Sequence, residues 1–406
     1  MEQCPIVMDC TGQNIQAEAA RLRAQGPVAR VELPGGVLAW SVTSYDAAKK
    51  ILLDDSVFLK EAKKYWPKYI NGEILPDWQM ITWVVMENML TRDGDDHKRL
   101  RGLISKVFTP RRVEATRPMI EKIVYSLLDD LAATPPGDVV DLKQKFTFPL
   151  PARLVCDMFG VPEESREDAL RGGQVNVDTT ITPEEAAANV EQWHDALGEL
   201  VASRRRDPGD DLTSFLITAQ DSEGTKLTDE ELVGTLHVML GAGSETLTNV
   251  LGHAIINLLT HREQLEMVSS GQVSWDSVFE ETMRVEAPVC QLPFRFAGKD
   301  VEIGGVTIPK GDPVLMGFAG VGRDPEIHGE TADEFDITRA NKAHLSFGLG
   351  AHFCLGAPLA KLEASIAMPA LFGRFPGLRL AVSPEEITPL PSFLMNGPSE
   401  VPVYLS

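Results

Sequence analysis

One cysteine, Cys354, lies in a glycine-rich stretch whose composition could support metal chemistry. Gly348, Gly350 and Gly356 surround it in the run FGLGAHFCLG, and a helix with an early proline is predicted from Ala357 onward. Glycine has no Cβ, so such a backbone can lie close to a flat ligand and adopt positive φ angles. A cysteine at a helix start points its sulfur toward unpaired backbone N–H groups, which favours the thiolate. The stretch predicts a thiolate ligand for a metal in a planar macrocycle, whereas a buried free cysteine is the simpler alternative.

A second patch with glycines lies inside a long predicted helix. Residues 227–231 signal a helix start with Thr228 as the cap, and the helical pattern continues without proline to about Thr260. The two glycines in the run GAGSET (residues 241–246) cost about 1 kcal/mol each relative to alanine, so something should compensate. A flat ligand against the helix, or a local widening that admits water, would do so, and the hydroxyl of Thr246 can bond the carbonyl of Ala242. Close helix–helix packing explains the patch equally well.

Two pairs of charged residues have helical spacing. His97 and Arg101 are four residues apart and share one helix face, and Glu281 and Arg284 do so at a spacing of three. Arginine presents a planar fork that matches a carboxylate, so the first pair could bind an anionic group. A solvated basic helix and a surface ion pair are the ordinary alternatives.

The elements that would position these residues are mostly helical. Helices are predicted over residues 14–25, 45–54, 183–206 and 229–260, with two short β segments near residues 29–33 and 37–41. Residues 60–89 have poor periodicity, so they are predicted to form a long loop with short helical turns. The chain shows no repeat, low-complexity tract or evident linker, so a single domain is expected over residues 1–406.

The spacing Phe-x-x-Gly-x-x-x-Cys-x-Gly, from Phe347 to Gly356, together with the patch at 241–246, resembles the cytochrome P-450 family. These are the haem-thiolate monooxygenases, and the chain is similar to soluble bacterial members over nearly all of its length. The resemblance implies a mainly α fold with small β-sheets (α+β), in which a triangular helical domain contains a long distal helix and a cysteine-ligand loop. It also implies that Cys354 is the proximal iron ligand of haem b, whose electron donation favours O–O cleavage.

The same resemblance implies roles for other residues. Glu245 and Thr246 would shape the oxygen site and relay the two protons that O–O cleavage consumes. The residues implied to bind haem propionates are His97, Arg101, Arg295 and His344, and those implied to contact the haem elsewhere are Ala242, Gly243, Phe347, Gly348 and Gly356. Glu281, Arg284 and Arg339 would be structural supports. Ser244 and Leu247 depart from the common pattern, which often has histidine and a second threonine there, and this leaves the outcome of oxygen activation open.

The substrate pocket is predicted from the family's arrangement, in which residues 60–89 close over the substrate. Half of the six tryptophans lie in this segment. The expected lining residues are Trp83, Val84, Met86, Val238, Ala242, Val289, Gln291, Leu292, Phe393 and Leu394. Gln291 stands where an apolar residue is more usual, and a buried glutamine needs a partner, so it is hypothesised to bond a polar group on the substrate. Core packing is the alternative for these apolar positions.

Composition excludes several classes of protein. The net charge of −21 argues against a nucleic-acid-binding face. The five cysteines are odd in number and scattered, which is not a disulfide framework and indicates a reducing cytosol. The N-terminus has no basic n-region, and no run reaches the roughly 18 apolar residues of a membrane span. A cytoplasmic, monomeric enzyme without a membrane anchor is therefore expected.

The chain lacks a flavin or dinucleotide fingerprint, so its electrons are expected from ferredoxin and a ferredoxin reductase. Seven basic residues are expected near the cysteine side as a dock for this acidic carrier: Lys98, Arg99, Lys106, Arg111, Arg112, Lys342 and Lys361. The predicted reaction is the oxidation of a hydrophobic small molecule of secondary metabolism by O2. Oxidative C–C or C–N coupling of aromatic substrates, and a haem-binding sensor without turnover, are the two alternatives.

Overall fold

The computed structural model describes residues 4–221 and 224–406. The helices are α1 (Ile15–Arg23), α2 (Tyr45–Leu53), α3 (Ala62–Tyr65), α4 (Pro67–Ile70), α5 (Thr82–Val85), α6 (Gly94–Ser105), α7 (Pro110–Ala115), α8 (Arg117–Ala132), α9 (Pro149–Phe159), α10 (Arg166–Val177), α11 (Pro183–Arg206), α12 (Leu212–Thr218), α13 (Asp229–Thr260), α14 (Arg262–Ser269), α15 (Trp275–Val285), α16 (Phe318–Val321), α17 (Pro325–His328) and α18 (Ala357–Arg374). The strands are β1 (Ile6–Val7), β2 (Val28–Leu33), β3 (Val37–Val42), β4 (Phe58–Leu59), β5 (Val140–Asp141), β6 (Leu292–Ala297), β7 (Val301–Ile303), β8 (Val306–Ile308), β9 (Pro313–Met316), β10 (Arg379–Leu380) and β11 (Pro402–Tyr404). Short 3-10 turns occupy Pro34–Gly36, Glu163–Ser165, Gly350–His352 and Pro384–Glu386, and Lys143–Thr147 form a π turn. This combination confirms the predicted mainly α fold with small sheets.

The strands form three small sheets. The largest has the order β1-β2-β3-β9-β6-β4, and the others are β10-β11-β5 and the hairpin β7-β8. Strand β3 pairs antiparallel with β2 and parallel with β9, and β9 pairs antiparallel with β6. The pairing of β6 with β9 is irregular between Leu292 and Arg295, where the strand borders the cavity described below. Such an irregularity bends a strand and changes the direction of its side chains.

Helix α13 is the long helix that the sequence predicts, and its bounds are confirmed. Its 32 residues span roughly 48 Å at about 1.5 Å per residue. The Thr228 hydroxyl accepts a bond from the Glu231 N–H at 3.2 Å, and the Glu231 carboxylate accepts one from the Thr228 N–H at 2.9 Å. This reciprocal capping satisfies two of the free N–H groups at the helix start. The cap therefore explains why the sequence alone locates this end.

The two halves of α13 lie in different hydrophobic clusters. Buried residues between Leu247 and Leu259 pack with side chains of α8, α15 and α18. Those between Leu232 and Leu240 pack with side chains of α6 and α11. The middle of the helix is left to form a cavity wall. None of the helices in the described ranges combines the length and the apolar character needed to cross a bilayer.

The segment 60–89 consists of short helical turns, as predicted, but two of its tryptophans are core residues. Trp66 stacks on Phe296 with ring centroids 5.5 Å apart, and Trp78 stacks on Phe294 at 5.9 Å. The Trp78 indole N–H also donates to the Pro34 carbonyl at 2.8 Å. These contacts attach the segment to the sheet and leave Trp83 as its cavity-lining tryptophan.

A buried ion-pair network joins α15 to the chain that precedes the cysteine loop. Arg284 donates to both Glu281 carboxylate oxygens at 2.7 and 2.9 Å, and both side chains are fully shielded from solvent. The Arg339 Nε–H donates to the same carboxylate at 3.2 Å, and so does the Asp336 backbone N–H at 3.0 Å. Arg284 also donates to three backbone carbonyls between residues 322 and 334. The network thus fixes an irregular segment to a helix.

Candidate active site

A cavity lies between α13 and the cysteine loop (residues 347–356). Its volume is about 1220 Å³ when its opening to solvent is included. The cysteine loop contributes Gly348 and His352, and α13 contributes residues from His237 to Thr246. The remaining wall comes from α10, β6 and residues 82–91.

The cysteine loop has a tight backbone. Gly350 has a φ of +74°, and a Cβ at this position would lie 2.6 Å from the Leu52 carbonyl oxygen, so glycine is required there. The Cys354 N–H donates to the Phe347 carbonyl at 2.8 Å. Burial raises the pKa of the Cys354 thiol, while hydrogen bonds from the backbone N–H groups of Gly356 and Ala357 oppose that rise. Helix α18 begins at Ala357, so these donors belong to its free N-terminus.

The donor set at this cysteine fits a metal that brings its own equatorial ligands. Among the residues described, no group of three or more His, Cys, Asp or Glu side chains is placed to hold a metal ion by itself. Cys354 can therefore supply a single thiolate, which suits a metal already held by a macrocycle. The small side chain of Ala242 on α13 is exposed into the cavity, whereas Leu240 and Ser244 beside it are buried.

Two histidines and an arginine meet where α6 reaches the cysteine loop. The rings of His97 and His352 lie 4.1 Å apart between centroids, and the Arg101 guanidinium donates to the Phe353 carbonyl at 2.7 Å. The His97 Nε2 and the His352 Nδ1 are both shielded from solvent and have no partner in the described part of the chain. Burial lowers the pKa of each of these histidines. Unpaired buried polar atoms of this kind indicate that a ligand completes the site.

Two further cations line the cavity beside these histidines. Burial lowers the pKa of Lys60 to about 7, with repulsion from Arg295 adding to the effect, and burial lowers the pKa of Arg295 to about 10. The Arg295 guanidinium donates to the Phe58 carbonyl at 3.1 Å, but within the described ranges neither side chain forms an ion pair. The carboxylate of Asp93 attracts both cations without forming an ion pair with either. Cations placed together in a cavity are costly unless an anion binds between them. Two propionate groups of haem b would supply that charge.

His344 was predicted to bind a propionate, but in this structure its ring is bonded within the protein. Its Nε2 lies 3.1 Å from the Glu280 carboxylate and its Nδ1 accepts from the Ser346 N–H at 3.2 Å, so both nitrogens are used by the protein. His344 does not line the cavity, whereas His352 does. The signal for His352 was its position two residues before the cysteine. No sequence signal separated Lys60 from its neighbours Lys63 and Lys64.

Residues 241–246 of α13 present two polar groups to the cavity, the carboxyl of Glu245 and the hydroxyl of Thr246. The Thr246 hydroxyl donates to the Ala242 carbonyl at 2.8 Å, which is the hydrogen bond that the sequence predicts. Burial raises the pKa of the Glu245 carboxyl, while Lys143 and a hydrogen bond from Gln174 oppose that rise. One Glu245 carboxylate oxygen is shielded from solvent without a partner. Both side chains line the cavity.

The two departures from the family pattern lie away from this cavity. The Ser244 hydroxyl donates to the Leu240 carbonyl at 2.9 Å, and Leu247 is buried in the core cluster with α8 and α18. Neither residue lines the cavity. Gly243, predicted to contact the haem, also does not line it, because the position of its Cβ faces Val155 of α9 at 3.2 Å.

Phe347 and Gly356 border the cysteine without lining the cavity. The Phe347 ring packs 6.3 Å from the rings of Phe279 and Phe353. A Cβ at Gly356 would lie 3.9 Å from the Cys354 sulfur. Their contact with haem stays a prediction.

Six of the ten residues predicted to line the substrate pocket do so: Trp83, Met86, Val238, Ala242, Val289 and Leu292. The other four do not line this cavity. Val84, Phe393 and Leu394 are buried in the core cluster of the large sheet. The turn that follows residue 391 instead presents Met395 to the cavity, where it bridges to Val289.

Gln291 is the fourth, and its proposed contact with a substrate fails on geometry. Its side-chain oxygen accepts a hydrogen bond from the Ser41 hydroxyl at 2.9 Å. The residue is buried between β3 and the chain entering β6, and it does not line the cavity. The partner that a buried glutamine requires is thus supplied within the protein.

Comparison with known proteins gives a single family. The family model for cytochrome P-450 matches residues 180–270 and 275–400. A 2-hydroxy-5-methyl-1-naphthoate 7-hydroxylase from Streptomyces carzinostaticus is 54% identical over 402 residues, which are 99% of this chain and 98% of that protein. The cytochrome P-450 monooxygenase PikC from Streptomyces venezuelae is 37% identical, with 98% and 94% covered. The solved structure of CYP154A1 from Streptomyces coelicolor A3(2) superposes with a TM-score of 0.94 at 42% identity, covering 99% of this chain and 100% of that one.

These similarities extend over nearly the whole chain, and they agree with the geometry of the site. A single cysteine at a helix start and cavity-lining cations without ion-pair partners in the described residues both fit haem b. The named hydroxylases among the relatives argue against a sensor without turnover. The chain therefore belongs to the cytochrome P-450 family and is a haem b-dependent monooxygenase of the haem-thiolate type.

Proposed function

We propose that this monooxygenase hydroxylates a two-ring aromatic acid of the hydroxynaphthoate type in bacterial secondary metabolism. The observation that carries the proposal is the 54% identity, over 99% of the chain, with a hydroxylase named for a hydroxymethylnaphthoate. The cavity wall supports it, because Trp83 and Phe294 provide aromatic surface, and Val289 and Leu292 provide aliphatic surface. Flat apolar substrates bind best to such walls.

The residues that would hold the cofactor form two groups. Cys354 would bind the iron, and the side chains that would bind the propionates are Lys60, His97, Arg101, Arg295 and His352. When bound, haem supplies the activation of O2 and the transfer of one oxygen atom to the substrate. The protein supplies position, charge and a dry environment.

Glu245 and Thr246 would handle protons in this site. Because burial raises the pKa of Glu245, its carboxyl keeps a proton at a higher pH than usual and can donate it. The Thr246 hydroxyl lies one residue further on the same cavity wall, where its bond to the Ala242 carbonyl fixes its rotamer. From outside α13, Gln174 hydrogen-bonds this carboxyl group and the positive charge of Lys143 attracts it.

Residues 82–91 would exclude water from the cavity. Gly234 of α13 approaches the Glu87 backbone so closely that a Cβ would lie 2.1 Å from its carbonyl oxygen. The Glu87 carboxylate pairs with Lys63 and with Arg92, and Arg92 also pairs with Glu61 at 3.1 Å. The segment is thus held against the helix by both backbone packing and charge. A water-excluded site strengthens the electrostatic interactions inside it.

We further propose that ferredoxin, acting on a monomer of this enzyme, supplies the electrons through a basic surface on α7. Arg111 and Arg112 are exposed and form no ion pair within the described residues, and α7 packs against α18, the helix that begins three residues after Cys354. Three other cations predicted for this dock are already paired with carboxylates. Lys98 pairs with Asp95 at 3.0 Å, Arg99 pairs with Glu231, and Lys361 pairs with Glu280 at 2.7 Å.

Charge reversal tests the α7 surface. Arg111→Glu combined with Arg112→Glu is expected to slow reduction by ferredoxin at least about tenfold at low salt and to flatten its salt dependence. Lys299→Glu makes the same kind of change at an exposed turn before β7 and is expected to alter neither quantity. Equal effects of the two charge reversals would place the dock elsewhere. Light scattering of the purified enzyme measures its molar mass and so tests whether it is a monomer.

Product mass tests the proposed reaction. The holoenzyme is supplied with ferredoxin, its reductase and 2-hydroxy-1-naphthoate, and hydroxylation adds one oxygen to the product. Oxidative coupling is the second candidate, and its support is a structure named for C–S bond formation, which superposes with a TM-score of 0.89 at 32% identity. Coupling would remove hydrogens without adding oxygen. Turnover of aliphatic macrolides with no naphthoate turnover would refute the proposed substrate class.

A further inference from the structure

Away from the cysteine loop, three neutral side chains of the cavity wall each have a shielded polar atom without a hydrogen-bond partner among the described residues. They are the indole of Trp83, the amide of Asn176 and the imidazole of His237. The Trp83 Nε1, the Asn176 Oδ1 and the His237 Nε2 are all shielded from bulk solvent. Buried polar groups in folded proteins nearly always have a partner, so this part of the wall is built for a ligand or for the water that it displaces.

The other neutral polar side chains that border residues 86–91 are already occupied. The Asn88 side-chain oxygen accepts from the Leu90 N–H at 2.9 Å, and the Thr91 hydroxyl donates to the Met86 carbonyl at 2.6 Å. These bonds stabilise the conformation of residues 86–91. The indole N–H of Trp83 is therefore the donor of this part of the wall that has no partner among the described residues.

His237 is held rigidly at the cavity. Its ring lies 3.6 Å from the Trp193 ring between centroids, and the Trp193 indole donates to the Ala169 carbonyl at 2.8 Å. His237 is only 6% exposed. Burial lowers its pKa to about 3, so the ring is neutral near pH 7 and offers one N–H donor and one nitrogen acceptor.

A close helix contact brings Asn176 to the same wall. A Cβ at Gly173 would lie 3.0 Å from the Gly241 Cα, so α10 and α13 touch at their glycines. Asn176 follows Gly173 by three residues and lies on the same face of α10. His237 precedes Gly241 by four residues and shares its face of α13. The glycine contact therefore places the amide and the imidazole on facing helices.

The position of His237 along α13 fits a two-ring substrate. His237 precedes Ala242 by five residues, which is about 7.5 Å along the helix axis. It precedes Thr246 by nine residues, or about 13 Å. A two-ring aromatic acid bound at His237 by its oxygen substituent would extend toward Ala242 and stop short of Thr246.

We propose that Trp83, Asn176 and His237 form a subsite that hydrogen-bonds an oxygen substituent, hydroxyl or carboxylate, of the aromatic substrate and thereby selects the ring carbon that is oxidised. The subsite rests on the proposed function in that its natural ligand is the hydroxynaphthoate-type acid. Trp83, Asn176 and His237 would be the residues that recognise this acid. All three groups are neutral donors or acceptors, so the subsite recognises hydrogen-bond geometry and not net charge.

Ligand pairs that differ only in oxygen substituents test the subsite. Dissociation constants are measured on the holoenzyme from the shift of the haem spectrum with 2-hydroxy-1-naphthoate, 2-naphthol, 1-naphthoate and naphthalene. His237→Phe, Asn176→Leu and Trp83→Phe are each expected to weaken the oxygenated ligands about tenfold, the effect of one lost hydrogen bond. The affinity of each variant for naphthalene is expected to stay within about twofold of the wild-type value. Comparison of 2-naphthol with 1-naphthoate shows which substituent the subsite binds.

Met86→Leu is the matched control, because it changes an apolar lining residue and should alter all four ligands alike. Product analysis adds a second readout, in which His237→Phe converts one hydroxylated isomer into a mixture. If the three polar variants leave the ratio of oxygenated to hydrocarbon affinity within about twofold, the subsite is refuted. If the wild type binds none of the naphthalene series, the proposed substrate class is wrong, and 4-hydroxybiphenyl against biphenyl then decides the subsite by the same ratio.

Discussion

Replacing Glu281 by glutamine removes the counter-charge of a fully buried arginine. In the native protein one Glu281 oxygen accepts from Arg284, from the Asp336 N–H and from Arg339, and the other accepts from the Arg284 Nε–H. Glutamine keeps the size of the side chain, but its amide nitrogen faces an arginine donor where an acceptor is needed. Arg284 then remains buried with its charge uncompensated.

The expected cost follows from burial. Breaking a buried ion pair by removing one partner costs about 3–5 kcal/mol, because the remaining charge stays desolvated. An unfolding entropy of about 2.1 cal/mol/K per residue gives roughly 0.85 kcal/mol/K for 406 residues. Glu281→Gln should therefore lower the Tm by about 4–6 °C. Because the network fixes the segment before the cysteine loop, the variant should also lose haem faster.

Glu114→Gln provides a closely matched control. Glu114 and Arg117 form the same pair of residue types at the same helical spacing, but both side chains are substantially exposed. Exposed pairs contribute little to stability, so this variant should leave the Tm unchanged. Thermal scans of the two holoenzymes at one scan rate give the comparison. A Tm change for Glu281→Gln no larger than that for Glu114→Gln would refute the reasoning from burial.

Three further predictions concern single side chains. Lys60→Met should increase the rate of haem transfer to apomyoglobin several-fold, because it removes a cavity-lining cation that is expected to pair with a propionate. An unchanged transfer rate would contradict that role. Thr246→Val should lower the amount of product formed per electron while leaving substrate affinity unchanged, because the hydroxyl that bonds the Ala242 carbonyl is lost. If the variant forms as much product per electron as the wild type, Thr246 does not take part in proton transfer. The hydrogen bond from His344 lowers the pKa of Glu280 from 4.5 to about 2, so this carboxylate stabilises the fold above about pH 4.5 and loses that contribution as the pH falls toward 2. Glu280→Gln should therefore flatten the decline of the urea midpoint across that pH window, and an unaltered slope would show that the pair is not linked to folding.

The departures of the structure from the predictions share a cause. His344 and His352 both precede the cysteine. Only the tertiary fold decides that Glu280 bonds His344 and that the His97 ring lies beside the His352 ring. Gln291 was expected in the cavity because the family's arrangement places residues 289–292 beside the substrate. Its actual partner, Ser41, lies on a strand 250 residues away in sequence, which no local pattern reveals.

The subsite was hidden for the same reason. Trp83, Asn176 and His237 come from three separate elements, and only Trp83 was expected to line the cavity, because nothing in the local sequence distinguishes the other two from core residues. Their unpaired atoms become visible only when the whole wall is assembled. Lys60 is similar, because its burial beside Arg295 depends on the packing of the chain around β4 and β6.

The features that the sequence alone determined are local ones. The glycine and cysteine spacing of residues 347–356 identified the thiolate loop, and the capping residues at Thr228 and Glu231 located the start of α13. The Thr246–Ala242 hydrogen bond followed from helical periodicity. Each depends on interactions within a few residues, which the order of amino acids dictates directly. The arrangement of cations around the cofactor site and the choice of side chains in the cavity wall depend on contacts between distant segments, so only the tertiary structure decided them.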